Sequence, residues 1–187
     1  MQQFLSYLVA AMVAWCPISD HRFYLRQSNM NDEQRDEHTL ARYASIAQDV
    51  EDVVKEKKPL FKGPFARIRT ALVVLAIASF ESGGFREDID NVKRTGGNAH
   101  CIMQVEFPLR EGEVMWDRKD CISIGLERVR ESMAACANHP VSDRLAVYAR
   151  GRCDHPWGLN NSRMKMGRAL DWIKTYEFMT LDQGESE

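Results

Sequence analysis

Residues 70–84 read T-A-L-V-V-L-A-I-A-S-F-E-S-G-G, and Glu81 is the sole charge between positions 70 and 82. A carboxylate in the last turn of an apolar helix lies near the negative end of the helix dipole and, here, beside Phe80; both surroundings favour its protonated form. A carboxylic acid that keeps its proton near neutral pH can serve as a general acid. The plainer alternative is that Glu81 marks where the helix reaches solvent. Other groups able to do chemistry follow. Asp88, Asp90 and Glu106 are acids within reach of a folded lobe. Gln104 interrupts Ile102, Met103 and Val105, and an amide among apolar residues requires partners, either as a satisfied structural amide or as a hydrogen-bonding group lining a cleft. Tyr148 lies in the apolar A-V-Y-A.

The elements that must position these residues are mostly helical. Apolar residues on every side of the helical period over 70–82 predict a central helix buried all round, starting near Phe65 and ended by Gly83 and Gly84. Residues 31–58 form an amphipathic helix with Leu40, Tyr43, Ala44, Ala47, Val50 and Val54 on one face, and Pro59 stops it. Phe4, Leu8, Met12 and Trp15 share one face of a short N-terminal helix that packs on the core. At about 12 residues, its apolar stretch is shorter than the roughly 20 a bilayer needs. Gly and Asn bound the apolar C-I-M-Q-V and predict a small hairpin or irregular lobe beside the central helix, with a cleft between the two. Ile122, Leu126, Val129 and Met133 mark a helix over 120–137, with Gly125 a weakness or a close-packing point. Ser142 can cap a short helix carrying Leu145, Ala146 and Tyr148, residues 151–161 read as loop, and 162–178 form a closing helix before a polar tail.

Three short motifs occur in order: Glu81-Ser82 closing an apolar helix, Gly97 followed by Ile102-Met103-Gln104, and Ala146-Val147-Tyr148-Ala149 in a later helix. Over residues 71–151 this resembles the goose-type lysozyme and soluble lytic transglycosylase group, which shows a Glu-Ser pair, a Gly-Leu-Met-Gln element and an Ala-Tyr-Asn element. Ile102 stands where Leu is usual, and Ala149 and Arg150 follow Tyr148 where Asn is expected. The resemblance implies a mainly α, lysozyme-like α+β fold: one domain over 1–187, with helical scaffold at 1–60, a motif-bearing core at 65–151 and a closing helix at 162–179. It implies cleavage of the β-1,4 bond between N-acetylmuramic acid and N-acetylglucosamine in bacterial peptidoglycan. In that reading Glu81 is acid and then base in a transglycosylase route to 1,6-anhydro ends. Tyr148 would orient Glu81, Ser82 would steady the site, and Met103 with Gln104 would line the sugar groove.

Other readings stay open. A hydrolytic muramidase would recruit Asp88, Asp90 or Glu106 as second carboxylate. The T-even phage lysozymes separate Glu, Asp and Thr by eight and five residues; here Glu81 and Asp90 keep the eight, but Thr95 follows after four. Asp88 and Asp90 otherwise read as loop carboxylates facing solvent. A wall-glycan-binding module or a virion structural protein would use the fold without turnover. The net charge of −2 demands no nucleic-acid partner, although Lys62, Arg67 and Arg69, and again Arg144, Arg150 and Arg152, could face an anionic polymer. No C-x-x-C or H-E-x-x-H spacing points to zinc, and no cofactor or other metal is implied. Of the five cysteines, Cys121 and Cys136 would lie about 22 Å apart on one helix and cannot join. Cys101 with Cys121 and Cys136 with Cys153 are sterically plausible pairs. Such bonds would fit the oxidising cell envelope; buried free thiols explain the residues equally well. With no clear signal peptide, a monomeric lysin delivered by or derived from a phage is the expectation for action on the periplasmic or extracellular side.

Overall fold

Helix α4 (Ala66–Glu81) is the axis of the computed structural model, which describes residues 2–26, 28–90, 99–106 and 117–184. Ile68 and every residue from Thr70 to Ser79 are buried, so the all-round apolar run becomes a helix covered on all sides. Each large aliphatic side chain removed from water there contributes about 1.5–3 kcal/mol. The helix ends where the two glycines allow a left-handed turn. Gly84 N–H donates to the Ser79 carbonyl at 2.7 Å and Gly83 N–H to the Phe80 carbonyl at 3.4 Å, the paired closure of a Schellman motif. Gly83 and Gly84 have φ of 59° and 93°, angles glycine adopts without Cβ strain.

The covering helices are α1 (Gln2–Trp15), α3 (Asp32–Glu56), α6 (Arg118–Ala135) and α8 (Pro156–Gly184), with the short helices α2 (Ile18–His21), α5 (Glu87–Asp90) and α7 (Ala146–Arg150) between them. Helix α3 begins in a reciprocal cap, Asn31 and Gln34 each accepting the other's backbone N–H at 2.9 Å. Its buried stripe is Tyr43, Ile46, Ala47, Val50, Val53 and Val54; Leu40 and Ala44, expected inside, are exposed. They fall on the flanks of the stripe that α1, α4 and α6 cover. On α1, Tyr7, Leu8, Ala11 and Met12 are buried, while Phe4 and Trp15 pack at its edge. Helix α8 starts at Pro156, five residues into the expected loop, because a proline at the first helical position loses no bond and has its φ preset. The expected Ser142 cap is absent: Val141–Asp143 is a 3-10 turn, and Ser142 Oγ donates to Asp143. Helix α8 also runs to Gly184, into the expected tail.

Among the described residues the strands form one small antiparallel hairpin, β1 (Ala99–His100) with β2 (Val105–Glu106), registered Ala99 to Glu106 and His100 to Val105. Its turn holds Cys101 and Gln104 at φ 60° and 46°, left-handed conformations that side chains rarely adopt. A Cys101–Cys121 bond ties this turn to the first residues of α6. Cys136–Cys153 ties the end of α6 to the segment before α8, and Cys16 is a buried free thiol. The architecture is mainly α, and among the described residues no helix is long and apolar enough to cross a membrane. Gly97 and Thr95 lie outside the described residues.

Candidate active site

The paired glycines leave Glu81 in the last turn of α4, where that buried helix reaches the surface. The apolar surroundings expected for its carboxyl are replaced by an ion pair. Lys165 of α8 donates from Nζ to Glu81 Oε1; the lysine side chain is 2% exposed and the glutamate 26%. Arg168, one turn further along α8, donates to Ser79 Oγ at 2.8 Å and stacks on Phe80 at 4.3 Å. Both cations therefore sit at the C-terminal end of α4, the negative end of the helix dipole. Glu81 Oε2 has no hydrogen-bond partner among the described residues.

Tyr148 of α7 completes the group. Lys165 Nζ lies 5.5 Å from its ring centroid, and its hydroxyl donates to the Met103 carbonyl at 2.6 Å rather than to Glu81. Burial, and then the Glu81 charge, push the phenol's pKa up, so it stays a donor. The backbone that places Tyr148 is pinned by two buried serines. Ser132 Oγ accepts from Tyr148 N–H at 2.9 Å and donates to the Arg144 carbonyl at 2.8 Å. Ser162 Oγ accepts from Leu145 N–H at 2.9 Å and donates to the Ser142 carbonyl at 2.7 Å.

Met103 is fully buried, so it offers this site its carbonyl rather than its side chain. That side chain fills the space over Gly125, where an added Cβ would meet Met103 Cε at 2.8 Å and Cγ at 2.9 Å, so Gly125 is a close-packing point. Gln104 donates from Nε2 to the Cys101 carbonyl at 2.8 Å and holds its own turn. Ser82 acts likewise: its hydroxyl donates to the Ala78 carbonyl at 2.6 Å and accepts Phe85 N–H at 2.8 Å.

The other acids are engaged beyond the glycine turn. Asp88 forms a two-pronged bond with Arg86, at 3.0 and 2.6 Å. Asp90, expected to face solvent, is 4% exposed and clamped between Arg42 at 2.9 Å and Arg118 at 2.8 Å. The reason is topological: α5 folds back between α3 and α6, each of which supplies a guanidinium. Glu106 pairs through its backbone in β2, and its side chain lies outside the described part. A cavity of about 660 Å³ is lined by Tyr24, His38, Arg42, Arg86 and Asp88 on this side, without Glu81, Tyr148 or Lys165. Volume alone does not mark the chemistry.

Lys165 is the residue that reading the sequence passed over. Ser162, Lys165, Met166, Ala169 and Ile173 are all buried and follow the three- and four-residue spacing of one helical face. A lysine inside an inward arc needs an anion, and that is the signal that could have found it. No protein-family model matches the chain, and no curated protein or solved structure matches it either.

Proposed function

We propose that this chain cleaves the β-1,4 glycosidic bond of peptidoglycan, with Glu81 as the single acid and base of a lytic transglycosylase route. The observation that carries the reading is the state of the Glu81 carboxyl: one oxygen held by Lys165, the other without a hydrogen-bond partner among the described residues, at the partly exposed end of a buried helix. The reaction starts from Glu81 that has taken up a proton from solvent on Oε2; it passes that proton to the glycosidic oxygen as the C–O bond breaks, and the bonding electrons leave with that oxygen. Negative charge then forms on Glu81 beside the Lys165 ammonium, which favours the transfer. Oε2 next takes the proton of the muramoyl 6-hydroxyl as that oxygen attacks the anomeric carbon, closing a 1,6-anhydro ring without water.

A hydrolase would need a second available carboxylate. Asp88 and Asp90 are held by arginines, which favours the single-acid route. The α+β lysozyme-like arrangement, with the hairpin flanking a substrate cleft, belongs to the same proposal. So does action in the cell envelope, where the Cys101–Cys121 and Cys136–Cys153 bonds would persist.

The test is release of soluble muropeptides from purified peptidoglycan, with the products weighed by mass spectrometry. Anhydro ends support the transglycosylase route and reducing ends a hydrolase. Absence of release, or lysis undiminished in a folded Glu81→Gln variant, rejects the assignment.

A further inference from the structure

The N-terminal end of α8 carries exposed apolar surface on a rigid support. Trp157 and Met164 are 53% and 52% exposed and, seven residues apart, share one face of the helix. Lys165, the next residue, is turned by about 100° toward α4 and Glu81, so this face and the candidate active site are adjacent sectors of one helix. The ledge is held in place. Gly158 lets α8 close on α7, where an added Cβ would meet the Ala146 carbonyl oxygen at 3.0 Å. Ser162 bonds Leu145 N–H and the Ser142 carbonyl just ahead of α7, and Cys136–Cys153 anchors the chain just ahead of α8. An exposed indole on an element tied by these bonds is the form of a stacking platform that loses little entropy when covered.

The charges around it differ in one respect. Arg144 donates to the His139 carbonyl, Arg152 pairs with Asp154, and Arg163 pairs with Asp143. Arg150, the last residue of α7, instead lies over the Trp157 ring at 4.0 Å and has no acidic partner among the described residues. The platform thus combines an apolar ring with an unmatched guanidinium, suited to a sugar face that carries a carboxylate.

We infer that Trp157 and Arg150 form a binding subsite for the muramoyl-peptide part of the glycan. The indole stacks on the sugar and the guanidinium pairs with a peptide-stem carboxylate. The inference rests on the substrate proposed above, and binding tests it separately from cleavage. In the full-length Glu81→Gln protein, calorimetric titration compares a neutral N-acetylglucosamine oligomer with a carboxylated disaccharide-peptide oligomer. Trp157→Ala is expected to weaken both by about tenfold, the scale of an anchor residue, whereas Trp157→Phe stays within about threefold. Arg150→Gln is expected to weaken only the carboxylated ligand. Unchanged binding by a folded Trp157→Ala protein overturns the subsite, and equal weakening of both ligands by Arg150→Gln overturns its preference for carboxylate. If Trp157→Ala loses binding while Glu81→Gln keeps full lytic activity, the subsite stands and the cleavage reading falls. If Glu81→Gln abolishes lysis and Trp157→Ala binds as before, the reverse holds.

Discussion

Two acids stand on either side of the glycine turn that ends α4, and their surroundings separate chemistry from architecture. Among the described residues Glu81 meets one cation, through one oxygen, with its side chain 26% exposed. Asp90 meets two guanidinium groups with its side chain 4% exposed, and one of them, Arg118, also binds Asp49 at 2.7 Å. Burial lowers the Arg118 pKa, but Asp90 and Asp49 outweigh it and raise it on balance. Both acids are ion-paired through one oxygen and near a helix end, so neither pairing nor position alone marks a reactive carboxylate. What separates them is exposure and the number of cations: Glu81 is open to solvent beside one ammonium, whereas Asp90 is enclosed by two guanidinium groups.

The largest test of that contrast is exchange of each acid for its amide. Glu81→Gln is expected to lower turnover per folded molecule by about 10²–10⁴-fold, the range for a general acid, and also to lower the melting temperature, because the buried Lys165 ammonium loses its counter-charge. Asp90→Asn is expected to lower stability alone. It leaves two buried guanidinium groups short of a counter-charge, a loss of about 3–5 kcal/mol that calorimetry would register as a drop of roughly 10 °C in Tm. Turnover per folded molecule should hold, and a catalytic collapse in folded Asp90→Asn protein would return Asp90 to the list of second carboxylates.

Lys165→Met sharpens the comparison from the cation's side. An apolar side chain of similar length fits the buried site, so stability should change by no more than about 1 kcal/mol in either direction. Turnover should fall by about 10²-fold as the developing carboxylate loses its counter-charge. Equal kcat in the variant would reduce Lys165 to packing. Gly125→Ala works one layer further out: Met103 must move, and with it the carbonyl that receives Tyr148. Overpacking of this kind costs about 1–3 kcal/mol, measurable by denaturant unfolding, and should lower activity as well.

The smallest effect concerns what lies beneath the glycine turn. Cys16 Sγ is 3.3 Å from where a Gly84 Cβ would be, and Tyr43 shares its hydroxyl between the Cys16 carbonyl and His21 Nε2, at 2.7 Å each. Burial, then Arg42, holds the His21 imidazole below its ordinary pKa, so it stays neutral in the folded protein. The unfolded imidazole takes up a proton below pH about 6.5 while the folded one resists it, so stability present above that pH is lost as pH falls. The slope is at most about 1.4 kcal/mol per pH unit for one group. His21→Gln should flatten it in chemical denaturation between pH 7 and 5; an unaltered slope would mean that other groups set the acid limit.

Much of this molecule was legible as pattern. A helix apolar on every side has to be central, Gly83-Gly84 has to end it, and two cysteines on one helix cannot join each other, because each follows from local geometry and the cost of exposing apolar surface. The same patterns put Glu81 at the rim of the core before any contact was known. What surrounds the acid was decided elsewhere. Lys165 is 84 residues away in sequence, and only the packing of α8 on α4 brings an ammonium to that carboxyl. Asp90 looked like a loop carboxylate until α3 and α6 each supplied an arginine. Local periodicity reports which face of an element is buried, whereas the partner of a buried charge is set by how elements far apart in the chain come to lie against each other.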